Sequence, residues 1–304
     1  MRLSRFFLTG LLVAVTAISC KDDDDQPEPI PARDRNEVEQ EDQEALTNYL
    51  DTHFYNYEDF ENPVEGFSYN IVIDTIAGSN SDKTPLSEFV TSKTFTFEEV
   101  DYTLYILKVR EGEGERPRFS DDIYFTYRGE LLNRKMFDNS VVPIWLNLYR
   151  GYGNLGGAIP GYQAVMTEFG ASTGYELNPD NTVSWNDDYG IGAVFLPSGL
   201  GYFSGGAGSI PAYSPLVFTF NLLGVNEADH DGDGIPSWME DLNENGDLYD
   251  DDTDGDGTPN FLDPDDDGDR YPTRDEIIIH EDGTLEFPDS NNDGIPDYLD
   301  PDSF

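Results

Sequence analysis

The run Tyr127-Arg128-Gly129-Glu130-Leu131-Leu132-Asn133-Arg134-Lys135-Met136-Phe137-Asp138-Asn139-Ser140 sits at the centre of a strand-rich region. It continues a strand predicted over Ile123 to Tyr127 and ends on an aromatic residue followed by a carboxylate, Phe137-Asp138. Taken singly, Tyr127 and Phe137 read as plain core. Upstream, Tyr102 to Val109 alternates as a strand does, and Gly112-x-Gly114 with Pro117 turns the chain. Downstream, Ala193 to Leu196 and Pro215 to Val225 are further short strands, and one helical stretch runs from about Gly161 to Phe169. One helix among several antiparallel strands predicts an α+β domain.

Six short blocks in this region follow one order. They are Tyr127 to Leu131, Phe137 to Ser140, Ala158-Ile159-Pro160-Gly161-Tyr162, Leu196 to Tyr202, Ser209-Ile210-Pro211 and Leu216-Val217-Phe218. In this order they resemble the FK506-binding-protein (FKBP) type of peptidyl-prolyl cis-trans isomerase, across about residues 102 to 225. The resemblance implies an antiparallel sheet wrapped on a short helix. It also implies that Tyr127, Phe137, Ile159, Tyr162, Ile210 and Phe218 surround a proline ring. Asp138 and Tyr202 would be the polar groups, Tyr202 donating to a substrate carbonyl, with the Ile159 N–H as a second donor. Tyr162 stands where the family usually has tryptophan, and Ile144 where it often has phenylalanine. An insertion between Phe169 and Ile191 is expected either to overhang the pocket or to decorate its rim.

Such a reaction asks little of its site. Rotation about the peptide bond meets a barrier of about 18–20 kcal/mol, because the amide is conjugated, and X-Pro exchange is correspondingly slow. No bond breaks, so neither nucleophile nor metal is required for catalysis. An apolar, water-poor pocket favours the twisted amide, which is less dipolar than the planar one. A thousandfold acceleration needs only about 4 kcal/mol. Residues 151–157 and Ser204-Gly205-Gly206 are glycine-rich but lack the lysine and the strand–helix setting of a phosphate-binding loop, so they read as flexible rims.

The N-terminus carries Arg2 and Arg5, an apolar run from Phe6 to Ile18, and then Ser19-Cys20. Charged start, short apolar middle and small residue before a cleavage point predict a signal peptide over 1–19. Ala17-Ile18-Ser19-Cys20 resembles the lipobox of bacterial lipoproteins, with alanine where leucine is usual, and implies a lipidated Cys20. Cys20 is the single cysteine, so no internal disulfide is expected. Lys21-Asp22-Asp23-Asp24-Asp25 reads either as an acidic surface-export tag or as a solvated spacer within a linker over 20–35. The expected location is the cell envelope, as an outer-membrane lipoprotein held by lipid alone.

The formal net charge of -45 excludes nucleic-acid binding, which needs a basic face. Of the 62 acidic residues, 28 lie after Val225, against two of the 17 basic ones. Acidic blocks are usually disordered, but here the acids hold register. Asp229, Asp231 and Asp233 precede Gly234, with Glu240 in the twelfth place; Asp289, Asn291 and Asp293 precede Gly294, with Asp300 in the twelfth. Asp252, Asp254 and Asp256 precede Gly257 and lead to Asp263. From there Asp263, Asp265 and Asp267 precede Gly268, with Arg274 in the twelfth place and Asp275 beside it. A degenerate copy runs Asp241, Asn243, Asn245, Gly246 and ends on Asp252.

Calcium explains this recurrence, since it takes six to eight oxygens at flexible angles from the first, third, fifth, seventh and twelfth places of such loops, with glycine sixth. Calcium is therefore the expected structural ion of the tail, with no cofactor for catalysis. Three copies share Pro236, Pro259 and Pro296 in the eighth place, followed by Trp238, Phe261 or Tyr298 in the tenth. The array, about residues 229 to 302, resembles thrombospondin type 3 repeats and implies a thin rod wrapped on its metals. Residues 276–288 interrupt it, and the copy opening at Asp263 is expected to bind weakly.

Residues 36–101 form an N-terminal extension. Val38, Leu46, Leu50 and Phe54 predict an amphipathic helix packed on its own domain, with strands over Phe67 to Ile76 and Thr94 to Phe97 and a structural His53. The expected organisation continues with an isomerase domain over 102–225 and calcium-binding repeats over 226–304. The function expected is proline isomerisation of exported polypeptides. The alternative is an adhesion lipoprotein with a catalytically silent fold and a calcium-stiffened stalk, and a third reading makes the calcium array the main function.

Overall fold

A computed structural model describes residues 31–149 and 157–303. The signal peptide and Cys20 lie outside the described residues. In chain order the elements are α1 (Arg35–Thr52), β1 (His53–Tyr55), α2 (Tyr57–Glu61), β2 (Ile73–Thr75), β3 (Val90–Phe97), β4 (Val100–Arg110), β5 (Asp122–Leu131) and β6 (Met136–Asn147). There follow α3 (Pro160–Met166), β7 (Tyr175–Leu177), β8 (Val183–Trp185), β9 (Gly190–Leu196) and β10 (Leu216–Asn226). The tail adds a one-turn α4 (Thr273–Glu276) and the short pair β11 (Ile278–Ile279) and β12 (Leu285–Glu286).

Six strands make one antiparallel sheet in the order β3-β4-β9-β10-β5-β6. Successive side chains alternate between its faces, and both faces are covered. On one face Ile123, Phe125, Phe218, Phe220 and Leu222 pack with Tyr162, Val165 and Met166 of α3. On the other, Val217, Ala193, Phe195 and Leu107 pack with Leu46, Tyr49 and Leu50 of α1. Double coverage explains why every residue of the central strand β9 is buried. The fold is α+β, an antiparallel sheet wrapped on a short helix.

Three expectations shift. The strand expected over Phe67 to Ile76 contracts to Ile73–Thr75, because its only strand partner among the described residues is the three-residue β1. Strand β3, assigned by sequence to the extension, pairs along β4 as an edge of the main sheet. The 170–190 insertion carries the β7–β8 pair, and Trp185 lies 5.8 Å from Tyr124 on the face opposite the Phe125 side chain. It does not overhang the α3 side.

Helix α1 is anchored by buried carboxylates as well as apolar residues. Glu39 Oε1 accepts the Thr103 N–H at 3.0 Å and the Gln43 amide at 2.9 Å. Burial pushes the Glu39 carboxyl up to about 7. Its folded pKa exceeds the unfolded value near 4.5, so the folded chain binds this proton more tightly. The associated stability is full below about pH 4.5 and is lost as pH rises to about 7. Glu39→Gln is expected to stabilise the chain by roughly 1–2 kcal/mol at about pH 8 and hardly at all at about pH 4.5. Calorimetric melts at the two pH values check this.

Candidate functional site

Strands β5, β6 and β10 and helix α3 bring the sequence-predicted residues together. Opposite β5, strand β6 slips register between Gly129–Asp138 and Glu130–Met136, leaving Phe137 without a cross-strand partner. Such a bulge re-aims a side chain. Phe137 turns edge-on to Phe218, ring centroids 5.4 Å apart. Gly129 lies beneath both rings, and a Cβ there would sit 2.5 Å from Phe137 and 2.8 Å from Phe218. The glycine of Tyr127-Arg128-Gly129 is thus required by close approach. Tyr162 lies 4.9 Å from Phe218, Tyr127 lies 6.5 Å from it, and Phe125 stacks on Tyr127 from behind. Phe218, Tyr162 and Ile210 are buried, and Ile159 is half-buried as the N-cap of α3.

Polar side chains edge this cup. Tyr127 donates its hydroxyl to Asp138 Oδ2 at 2.6 Å. Burial first, then the Asp138 bond, raises the Tyr127 pKa, so the phenol stays a donor. Tyr202, 38% exposed, faces the same carboxylate; burial and then the Asp138 charge raise its pKa as well. The turn leading into Tyr202 is fixed from the far side of the sheet. Asp42 of α1 accepts both the Ser198 N–H at 2.7 Å and the Ser198 hydroxyl at 2.6 Å. Sequence reading gave α1 no role at the site, and acids on a helical apolar face were the available signal.

Tyr162 carries a buried hydroxyl with no hydrogen-bond partner among the described residues. An unsatisfied buried hydroxyl costs about 1–3 kcal/mol. Tyr162→Phe is therefore expected to leave stability unchanged or raise it by roughly 1 kcal/mol. Tyr162→Trp is expected to hold or raise isomerase activity. Thermal melts and a rate assay on the two variants check this pair. Ile144 pairs with Phe125 on the edge strand and is 38% exposed, so the aromatic lining is thinner there. A separate groove of about 900 Å³ between Tyr69, Trp185 and Tyr189 shares only Tyr127 with this cup and lacks the Asp138–Tyr202 pair.

The acidic tail forms five turns of one geometry. In each, the first-place carboxylate accepts the sixth-place N–H at 2.8–3.1 Å, from Gly234, Gly246, Gly257, Arg270 and Gly294. These sixth residues all have φ between 81° and 104°. The fifth-place side chain accepts the seventh-place N–H at 2.5–2.9 Å. Register in the fourth turn corrects the sequence reading. That turn opens at Asp265, not Asp263, and converges Asp265, Asp267 and Asp269. Gly268 takes its fourth place, as Gly232 and Gly255 do in theirs, and Arg270 adopts the left-handed sixth place. Asp263 keeps only the twelfth place counted from Asp252.

Two consequences follow for the closing residues. Arg274 is not a failed closing ligand; its guanidinium donates to the Gly232 carbonyl at 3.1 Å. Glu276, read as the start of the interruption, takes the twelfth place and is buried with both oxygens unpartnered among the described residues. Pro272, in the eighth place like Pro236, Pro259 and Pro296, was the signal that could have set this register. Asp229, Asp231 and Asp233 cluster likewise, as do Asp252, Asp254 and Asp256. In the degenerate turn, Asn243 and Asn245 donate to Asp250 at 3.2 and 2.8 Å, and in the last turn Asn291 donates to Asp300 at 2.7 Å.

The turns pack on one another and on the isomerase-like domain instead of extending as a rod. Ile235 and Ile277 share a cluster with Tyr298, and Gly268 abuts Asp254. Against the domain, Tyr149 packs on Leu248 and Phe261, donates to Asp247 at 3.0 Å and accepts the Leu248 N–H at 2.7 Å. Arg118 stacks 3.5 Å over Trp238, and Asn147 meets His230 at 3.1 Å. A rod would leave these apolar residues in water. Buried carboxylates with unpaired oxygens fit a hard cation supplied from solution.

Sheet, helix and side chains together form an aromatic cup with a polar rim. Over 128 residues the chain is 33% identical to the FKBP-type peptidyl-prolyl cis-trans isomerase FkpA of Aeromonas hydrophila, covering 40% of this chain and 38% of that relative. Its counterpart in Escherichia coli (strain K12) is 30% identical over 120 residues, 40% of this chain and 37% of the relative. The match thus spans under two fifths of these relatives' length. Among solved structures, a peptidyl-prolyl cis-trans isomerase from Pseudomonas syringae pv. tomato aligns over 65% of this chain and 99% of its own, with 16% identity and a TM-score of 0.36. FkpA from Escherichia coli aligns over 63% of each chain, with 21% identity and a TM-score of 0.33. In the tail, the family described as BamM C-terminal matches residues 230–288, a match the sequence did not lead us to expect.

Proposed function

We propose that this chain is a proline isomerase of the cell envelope, acting on exported polypeptides and carrying a calcium-binding tail. The observation that carries the reading is the Tyr127–Asp138 hydrogen bond set at the rim of the Phe137–Tyr162–Phe218 cup. A proline ring enters the cup, which sheds its water. Tyr202 and the Ile159 N–H hold the flanking carbonyls while the amide turns. The kinship to FkpA isomerases supports the same activity. Slow proline steps outside the cytoplasm give such an enzyme its clients. The test is macrolide binding: FK506-like ligands should bind the fragment from Lys21 and compete with proline peptides. Absence of both would favour a silent, adhesive use of the fold.

The tail turns opening at Asp229, Asp241, Asp252, Asp265 and Asp289 would hold calcium, with Glu240, Asp252, Asp263, Glu276 and Asp300 closing them. The likeness to thrombospondin type 3 repeats belongs to the same reading, as a matter of loop chemistry. Among the described residues no helix is long and apolar enough to cross a membrane. Lipid on Cys20 is the proposed anchor. Cys20→Ala is expected to move the protein from the membrane fraction to the soluble one, and membrane partitioning unchanged from wild type would contradict it.

A further inference from the structure

The second-place residue of four turns pairs with the ninth. His230 meets Ser237 at 2.8 Å, Asn260 donates to Thr253 at 2.8 Å, Thr273 donates to Asp266 at 3.2 Å, and Ser290 donates to Asp297 at 2.7 Å. Among these four, Asp266 alone is a second-place carboxylate, and its other oxygen, Oδ1, is buried without a partner among the described residues. It is aimed out of its own turn. One oxygen each from Asp266, Asp233 and Glu240 lie within 4.8 Å of one another. Asp233 and Glu240 belong to the first turn, so the group joins two turns separated by more than a complete copy of the motif.

All three residues are nearly fully buried, at 1–2% exposure. Asp233 Oδ2 and both Glu240 oxygens are unpartnered as well, which makes four orphaned carboxyl oxygens among the three residues. Surface acids gather without a cation because water screens them. Three buried carboxylates do not, since each uncompensated charge costs several kcal/mol. Among the described residues Arg274 forms no ion pair with any of the three; its guanidinium donates to the Gly232 carbonyl.

We propose that Asp233, Glu240 and Asp266 hold a divalent cation of the calcium class between the first and fourth turns, separate from the ion of the Asp229–Asp231–Asp233 cluster, with Asp233 and Glu240 shared by the two. Four carboxyl oxygens in a dry pocket suit calcium better than magnesium, which keeps several waters. Asp266 comes from outside the first turn's own ligand places, so this ion clamps one turn onto another. It gives the tail a compact shape where single-loop ions would permit a string. The inference rests on the reading of the tail as a calcium binder.

Asp266→Asn keeps the bond to Thr273 and removes the charge. Native mass spectrometry of the full chain from Lys21, titrated with calcium alone, should count one ion fewer in the variant. In chelator the variant should melt at the same temperature or higher, because a repelling carboxylate is gone. In millimolar calcium it should melt lower. An unchanged ion count, or an equal drop in melting temperature with and without calcium, would overturn the inter-turn site. A parent chain that binds no calcium would instead overturn the calcium reading on which the site rests. Asp266→Ser provides the same count should the amide variant fold poorly.

Discussion

Chelating calcium is expected to cost this chain about 5 kcal/mol of stability and most of the order in residues 226–304. Extracellular loops of this kind bind with dissociation constants of about 10⁻⁴ to 10⁻³ M. At about 2 mM calcium and the tighter end of that range, each site stabilises the folded form by about 1.8 kcal/mol, so three sites reach the total given. The tail has few apolar residues to resist the loss: Leu248, Phe261, Ile235, Ile277 and Tyr298 are buried in two small clusters. Without metal, the buried carboxyls of Glu240 and Asp266 face each other and Asp233, and buried Glu276 faces Asp267 and Asp269. Circular dichroism and melts with and without chelator check this, and magnesium should restore little. The loss should also reach the cup. Asn147 accepts the Ala158 N–H at 3.0 Å, next to Ile159, while its side chain meets His230 of the tail.

Asp138→Val is expected to reduce kcat/KM by about 10- to 100-fold. The substitution removes the acceptor of the Tyr127 hydroxyl and leaves a partly buried donor unsatisfied, a penalty of about 1–3 kcal/mol at the place where the substrate binds. Tyr202→Phe should cost less, a few-fold, because the more exposed Tyr202 loses one hydrogen bond to substrate and leaves no buried group orphaned. If Asp138→Val proved milder than Tyr202→Phe, the Tyr127–Asp138 pair would not be the organising contact of the rim.

Much of the site was legible because its parts are local. Tyr127-Arg128-Gly129 and Phe137-Asp138 lie on neighbouring strands joined by a short turn, so their order in sequence carries their proximity. Helix α1 was legible as an element, and its apolar face does pack on its own sheet. Its grip on Ser198 was not, since Asp42 acts across 156 positions and polar contacts of that range leave no periodic trace. The 67–76 segment alternates as strands do, but alternation does not supply a partner strand. In the tail, glycine spacing misled. Gly268 fits the sixth place of a turn opened at Asp263, whereas the backbone puts it fourth and lets Arg270 take the left-handed place. Acid-rich sequence permits several registers, and the recurring eighth-place proline is what breaks the tie.

Isomerase activity at the cup is tested most directly by one rate. A protease-free measurement of cis-to-trans exchange at an X-Pro bond, made with the fragment from Lys21 in millimolar calcium, should show catalysis well above the spontaneous rate. That catalysis should be inhibited by an FK506-like macrolide and cut at least tenfold by Asp138→Val. A rate indistinguishable from the uncatalysed one, with calcium bound and the fold intact, would contradict it.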